Sequence, residues 1–142
     1  MQIRRFEVKD AEAVVALWTE CGLVVPWNDP YKDIERKLSV QPELFLVGES
    51  DGVVVATVMA GYEGHRGWIN YLAVSPSQRG RQFARQLLST VEQRLKALGC
   101  PKINLQVRET NAAVIEFYQY LGFDIDRAVS MGKRLIPDLP AE

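Results

Sequence analysis

A chain of 142 residues, 47% of them hydrophobic and 25% charged, has the size and balance of one soluble globular domain spanning 1–142. Its formal net charge of −1 supplies no global field to gather nucleic acid or an anionic membrane surface. One histidine and two distant cysteines, Cys21 and Cys100, exclude a zinc centre of the usual Cys/His type. No apolar run approaches the ~18 residues of a membrane span, and no charged-then-apolar leader opens the sequence, so a cytoplasmic protein with reduced thiols is expected.

In chain order, Ile3 to Val8 alternates as a first strand, and Asp10 is placed to cap a helix carrying Val14, Leu17, Trp18 and Cys21 on one face, stopped by Gly22. Asp29 before Pro30 predicts the start of a second helix, Tyr31 to Leu38. Leu44 to Glu49, the turn Ser50-Asp51-Gly52 and Val53 to Tyr62 read as a hairpin. After the loop Glu63-Gly64-His65-Arg66-Gly67 comes a strand, Trp68 to Val74. Leu87, Leu88, Val91, Leu95 and Leu98 then mark a one-faced helix closed by Gly99. Ile103 to Val107 is a fifth strand and Asn111 to Leu121 a last helix closed by Gly122. A terminal strand or hairpin is expected within Val129 to Ile136, followed by a frayed tail from Pro137 to Glu142. The order β-α-α-β-β-β-α-β-α-β gives an α/β (α+β) fold: a mixed central sheet with helices on both faces.

Two segments carry chemistry. The strand Trp68–Val74 runs into Ser75-Pro76-Ser77-Gln78-Arg79-Gly80-Arg81-Gln82-Phe83-Ala84, where helix-opening amides and two arginines suit a polyphosphate-like anion. One strand later stands Asn111-Ala112-Ala113-Val114-Ile115-Glu116-Phe117-Tyr118 through Leu121-Gly122-Phe123. No Walker loop or dinucleotide fingerprint is present. Together with the order of elements, these residues resemble the GNAT superfamily of N-acetyltransferases over nearly the whole chain. The segments Pro26-Trp27-Asn28-Asp29-Pro30, Gly64-His65-Arg66-Gly67 and Gly132-Lys133-Arg134-Leu135-Ile136 are similar to the small bacterial YpeA-type members.

The resemblance implies acetyl-coenzyme A as acyl donor, with no metal. It implies that the backbone of Leu72, Ala73 and Val74 holds the pantetheine arm, and that an amide near Leu72 or Ala73 polarises the thioester carbonyl. Arg79, Gly80, Arg81, Gln82, Phe83 and Ala84 would take the pyrophosphate. Gln82 stands where the family carries a glycine. It is expected to adopt right-handed, helix-compatible dihedrals, either with the loop amides still aimed at the phosphates or with weakened coenzyme affinity. Asn111 would cap the last helix and touch the coenzyme, and Tyr118 would be the proton donor to the leaving thiolate. A phenol near 10 protonating a thiolate near 8.5 is uphill by roughly 2 kcal/mol, so a hydrogen bond with late transfer is the better description.

A general base is less evident. Gln106 occupies a position where some relatives carry glutamate, and Trp68 occupies another, which leaves Glu63, His65, Asp29 and Asp33, acting directly or through water. A weak base suits an amine of low pKa, so the expected acceptor is a primary amine on a small molecule or a peptide or protein N-terminus, attacking directly in a ternary complex. Trp27 and Tyr31 are candidates for the acceptor wall, as alternatives to plain packing. A different class of function is a non-catalytic sensor that binds coenzyme A or acyl-coenzyme A without turnover. The sequence leaves a homodimer open.

Overall fold

The alternation of apolar residues along two central strands decides how this chain layers. In the computed structural model, which describes residues 1–139, the elements are β1 (Gln2–Arg5), α1 (Ala11–Glu20), α2 (Pro30–Leu38), β2 (Phe45–Ser50) and β3 (Val53–Tyr62). They continue with β4 (Gly67–Val74), α3 (Phe83–Ala97), β5 (Ile103–Leu105) and α4 (Ala112–Tyr120). The sheet order is β1-β2-β3-β4-β5, antiparallel as far as β4 and parallel between β4 and β5. In β2, Phe45 and Val47 point to one face and Leu46 to the other, the period of two that a sheet buried on both sides requires.

On one face, Val14, Leu17 and Trp18 of α1 and Ile34 of α2 pack on Phe45, Val47, Met59 and Ala73. On the other, Leu87, Leu88, Val91 and Leu95 of α3 pack on Leu46, Val58, Ala60 and Ile69, with Tyr118 and Leu121 against the same cluster. The α3 residues are those whose spacing marked a one-faced helix, and Gly99 follows that helix in the left-handed region at φ 87°. Asp29 caps α2 as expected, its carboxylate accepting from the Tyr31 amide at 2.9 Å.

Several expectations need correction. Asp10 does not cap α1 with its side chain: it accepts from the Glu7 amide at 2.9 Å and forms a two-pronged pair with Arg4 at 2.8 and 2.9 Å. The Arg4 guanidinium holds its carboxyl below the usual carboxylate range. No strand forms over Val129–Ile136 among the described residues. β5 is only three residues long, and the segment after α4 meets it through side chains, Lys102 and Asn104 with Asp126 and Gln106 with Ser130. The tail is not frayed as far as it is described. Asp138 is buried, 2% exposed, and accepts from the Asp29 amide at 2.8 Å and from Arg36 at 2.5 Å. Residues 140–142 of that expected tail lie outside the described residues.

Candidate active site

The site begins with a fault in β4. Thr57 pairs with Ala73 while Met59 pairs with Asn70, so β4 carries one residue more than β3 over this stretch. The extra residue is absorbed at Tyr71, which lies in the left-handed region at φ 52°. A bulge of this kind bends a strand and re-aims its groups. Beyond it, Leu72 and Val74 pack toward the α3 layer and Ala73 toward the α1 layer.

Tyr71 is held from three sides. Its ring stacks on Trp18, with centroids 3.7 Å apart and planes 13° from parallel. Its carbonyl accepts from the Thr57 hydroxyl, which in turn accepts from the Trp18 indole N–H, each at 2.9 Å. Its own hydroxyl donates to Asp33 at 2.6 Å and accepts from the Asn28 amide at 3.2 Å. Burial first, and the Asp33 carboxylate second, push the Tyr71 phenol well above its ordinary value.

The second element is a splay. β4 pairs with β5 only through Gly67, Trp68 and Ile69, opposite Ile103, Asn104 and Leu105. From Asn70 to Val74, no strand among the described residues covers that edge of β4, although backbone donors and acceptors there still need partners. A cavity of about 1010 Å³ opens at this divergence. Its walls come from both layers: Asp33, Arg36 and Lys37 of α2 on one side, Val114 and Tyr118 of α4 on the other. The size is at the upper end for a ligand pocket, room enough for an extended ligand.

The third element is the turn after β4. Gly80 sits at φ 84°, and Gln82, immediately before α3, at φ 61° and ψ 25°. The expected right-handed conformation of Gln82 is therefore corrected: the glutamine adopts the left-handed geometry that a glycine would take freely. For a side-chain-bearing residue this costs about 1–2 kcal/mol. The turn keeps its shape, and the amides that open the fifteen-residue α3 stay uncapped by any side chain. Arg79, Gly80, Arg81 and Gln82 are exposed there, while Phe83 is buried and anchors the helix start.

Leu72, Ala73, Val74, Arg79, Asn111 and Tyr118 all line the one cavity. Asn111 caps α4, accepting from the Val114 amide at 3.4 Å, while facing the cavity. Tyr118 is clamped edge-on between Phe117 and Phe123, at centroid distances of 5.3 and 5.5 Å. Burial pushes its phenol up to about 12. Of the four carboxylate and imidazole candidates for a base, only Asp33 lines the cavity. Glu63 instead closes its own loop, accepting from the His65 amide at 2.7 Å and from the Arg66 amide, bonds that hold its carboxyl below the usual range. His65 is exposed on that loop, and Asp29 is spent on capping α2. Trp27 borders a smaller pocket with Arg134, Pro137 and Leu139 and does not line the main cavity.

Tyr71, Thr57 and Lys37 were not singled out by sequence reasoning. Tyr71 and Thr57 lay within expected strands and Lys37 within the expected second helix, with nothing local to mark them. The one available signal was Asp33, already a candidate base, at i−4 from Lys37 on the same helix.

Comparison with known proteins places the fold in a family. The model of the acetyltransferase (GNAT) family matches residues 11–123. An acetyltransferase of Yersinia pestis (strain Pestoides F) is 53% identical over 138 residues, covering 97% of this chain and 98% of that protein. Among solved structures, Ard1 from Thermoplasma volcanium superposes with a TM-score of 0.76 at 24% identity, covering 88% of this chain and 83% of that one. The aminoglycoside acetyltransferase AAC(6')-Iy, in complex with a bisubstrate analogue, superposes with a TM-score of 0.76 at 22% identity, covering 94% and 98%. At those identities the two structures speak for the fold alone. A family model spanning most of the chain, with a relative at 53% identity end to end, decides the matter: the chain belongs to the acetyltransferase (GNAT) family of acetyl-coenzyme A-dependent enzymes.

Proposed function

We propose that this protein transfers the acetyl group of acetyl-coenzyme A to a primary amine on a small molecule or a peptide N-terminus, by direct attack with both reactants bound. The observation that carries this reading is the free edge of β4 beyond Ile69, opening into a cavity that holds Tyr118 on one side and Asp33 on the other. Asn70–Val74 offer backbone bonds to an extended amide-containing arm, and the opening of α3 with Arg79 and Arg81 offers donors to a diphosphate at the end of the same strand. These features fit the donor. When bound, acetyl-coenzyme A supplies an acetyl thioester and a thiol leaving group.

The residues divide the work along β4. The amide of Leu72, just past the bulge, is the donor that would face the thioester carbonyl, and the Trp18–Thr57–Tyr71 chain holds its approach angle. Tyr118 remains protonated. With its phenol at about 12, full transfer to a thiolate near 8.5 is uphill by about 5 kcal/mol, so its part is to donate a hydrogen bond to sulfur and to lower the charge developing there. Among the described residues Asp33 is the only carboxylate lining the cavity, and three groups already bond it. The attacking nitrogen must therefore arrive largely neutral. As its bond to the acetyl carbon forms and the C–S bond breaks, its extra proton passes to solvent and coenzyme A leaves as a thiolate hydrogen-bonded by Tyr118. An α-amine near 8 meets that condition in roughly one molecule in ten at neutral pH, a lysine amine in about one in a thousand.

Two measurements test this. Saturating acetyl-coenzyme A should raise the melting temperature, and thiol release with matched α- and ε-amines should favour the α-amine most at pH 7. No stabilisation by the donor, or an ε-amine preference at pH 7, would remove the reading.

A further inference from the structure

The acceptor wall formed by α2 carries an excess of positive charge once its internal pairs are matched. Asp33 already accepts from the Tyr71 hydroxyl, the Asn28 amide and Arg36. Asp138, buried nearby, is matched by Arg36 and Arg134. What remains is Lys37, one helical turn after Asp33, lining the same cavity and only 9% exposed. Its ammonium donates to the Ala60 carbonyl, and among the described residues no carboxylate lies within ion-pair distance of it, Glu43 acting on its charge only from further off. A buried ammonium with one of three donors engaged is costly to keep charged, and burial lowers its pKa accordingly.

The bond to Ala60 does not explain the charge. One turn further on, Gln41 serves the same strand with a neutral amide: it accepts from the Tyr62 amide at 2.7 Å and donates to the Tyr62 carbonyl at 3.0 Å. An uncharged side chain thus satisfies β3 where β2 no longer reaches it. The position of Lys37 supplies the missing reason. Ala60 pairs with Ile69, the bulge lies two residues on at Tyr71, and the arginine–glycine turn follows Val74 at the opposite end of β4. Lys37 therefore marks the end of the cavity away from that turn, and as the i+4 neighbour of Asp33 on α2 its Cβ lies about 5–6 Å from the Asp33 Cβ.

We propose that the acceptor is an amino carboxylate, its amine facing Asp33 and the Tyr71 hydroxyl and its carboxylate held by the Lys37 ammonium. This rests on the acetyltransferase reading of the same site. The spacing suits an amine and an acid a few bonds apart, as in an amino acid or a short peptide. A polycationic amine would meet Lys37 and Arg36 as like charges.

The test is thiol release from acetyl-coenzyme A with glycine, β-alanine, γ-aminobutyrate and glycylglycine, each against its own carboxamide, and with spermidine. Binding of acetyl-coenzyme A, followed by calorimetry, is checked first, because its absence removes the acetyltransferase reading and not this inference alone. With the donor bound, and with each rate referred to the neutral fraction of its own amine, at least one acid should exceed its carboxamide by about tenfold or more in kcat/KM, the worth of a charge-assisted hydrogen bond. In Lys37→Gln, which keeps a donor for Ala60, that ratio should collapse toward one. Carboxamides or spermidine used as well as the acids, an undiminished ratio in Lys37→Gln, or no acid accepted at all would each overturn the proposal. The wild-type comparison decides it even if the variant does not fold.

Discussion

Thr57 donates its hydroxyl proton to the carbonyl of Tyr71 at 2.9 Å while accepting the indole N–H of Trp18 at the same distance, so one buried hydroxyl ties helix α1 to the bulge of β4. Trp18 and Thr57 are both fully buried. Thr57→Val keeps the shape and strands two polar groups, and should cost about 2–4 kcal/mol of stability. Thr57→Ser keeps both bonds and should cost about 1 kcal/mol or less for the lost methyl. Urea midpoints of the two variants check this. Turnover of the serine variant should also stay near wild type, since the bonds that hold the bulge are preserved.

Tyr118→Phe removes the only hydroxyl that α4 aims into the cavity and leaves the ring between Phe117 and Phe123. The loss of kcat should be about a hundredfold or more, with the dissociation constant for acetyl-coenzyme A within about twofold of wild type. Calorimetry and steady-state kinetics read the two separately. Unchanged kcat would show that the thiol leaves without this phenol.

The turn before α3 holds two left-handed residues, only one of them glycine. Gln82→Gly should therefore stabilise the protein by about 0.5–1 kcal/mol, the relief of the left-handed strain exceeding the entropy of an added glycine. Gly80→Val should act in the opposite sense. A Cβ at Gly80 would meet no atom within 4 Å, so the damage comes from φ 84° itself and not from a clash. Distortion of the turn should weaken acetyl-coenzyme A binding in parallel with the drop in melting temperature.

Acid should release the C-terminal segment last. Arg36 above all, then the Asp29 amide, hold the Asp138 carboxyl down to about 2. A lowered folded-state pKa contributes stability that is complete above the unfolded value near 3.9 and is lost as the pH falls through the folded value. The contribution of Asp138 should thus be flat from pH 7 to about 4 and fade between about 4 and 2. Asp138→Asn should abolish that dependence and speed tryptic cleavage after Arg134, whose guanidinium bonds Asp138 at 3.3 Å and Asn28 at 2.8 Å.

How much of this was legible in the sequence varied with the range of the interaction involved. Glycines at 99 and 122, the Asp29–Pro30 start and the heptad-like apolar face of α3 are local signals, and they located helices to within a residue or so. β3 was legible over its full length because both of its faces are apolar. The Arg79–Ala84 turn was singled out from its arginines and helix-opening amides, and Tyr118 and Asn111 were assigned roles through a family resemblance that rests on local motifs. What stayed hidden depends on partners far apart in the chain: Tyr71 with Asp33, 38 residues away, and Trp18 with Thr57, 39 away. Nothing in a tyrosine announces φ 52°, and nothing local told Asp33 apart from Glu63, whose carboxylate is consumed by its own turn. The tail was misread because Asp138 gains its partners from α2 and the loop before it, more than a hundred residues upstream.

The divergence of β4 from β5 carries a liability as well as an opportunity. A bare strand edge in the middle of a sheet is a template for any extended polypeptide, including a neighbouring molecule of the same kind. A small molecule lying along that edge would act as a guard against clumping. Concentrated solutions should therefore stay clear longer in its presence, and light scattering would register the protection before any chemistry is measured.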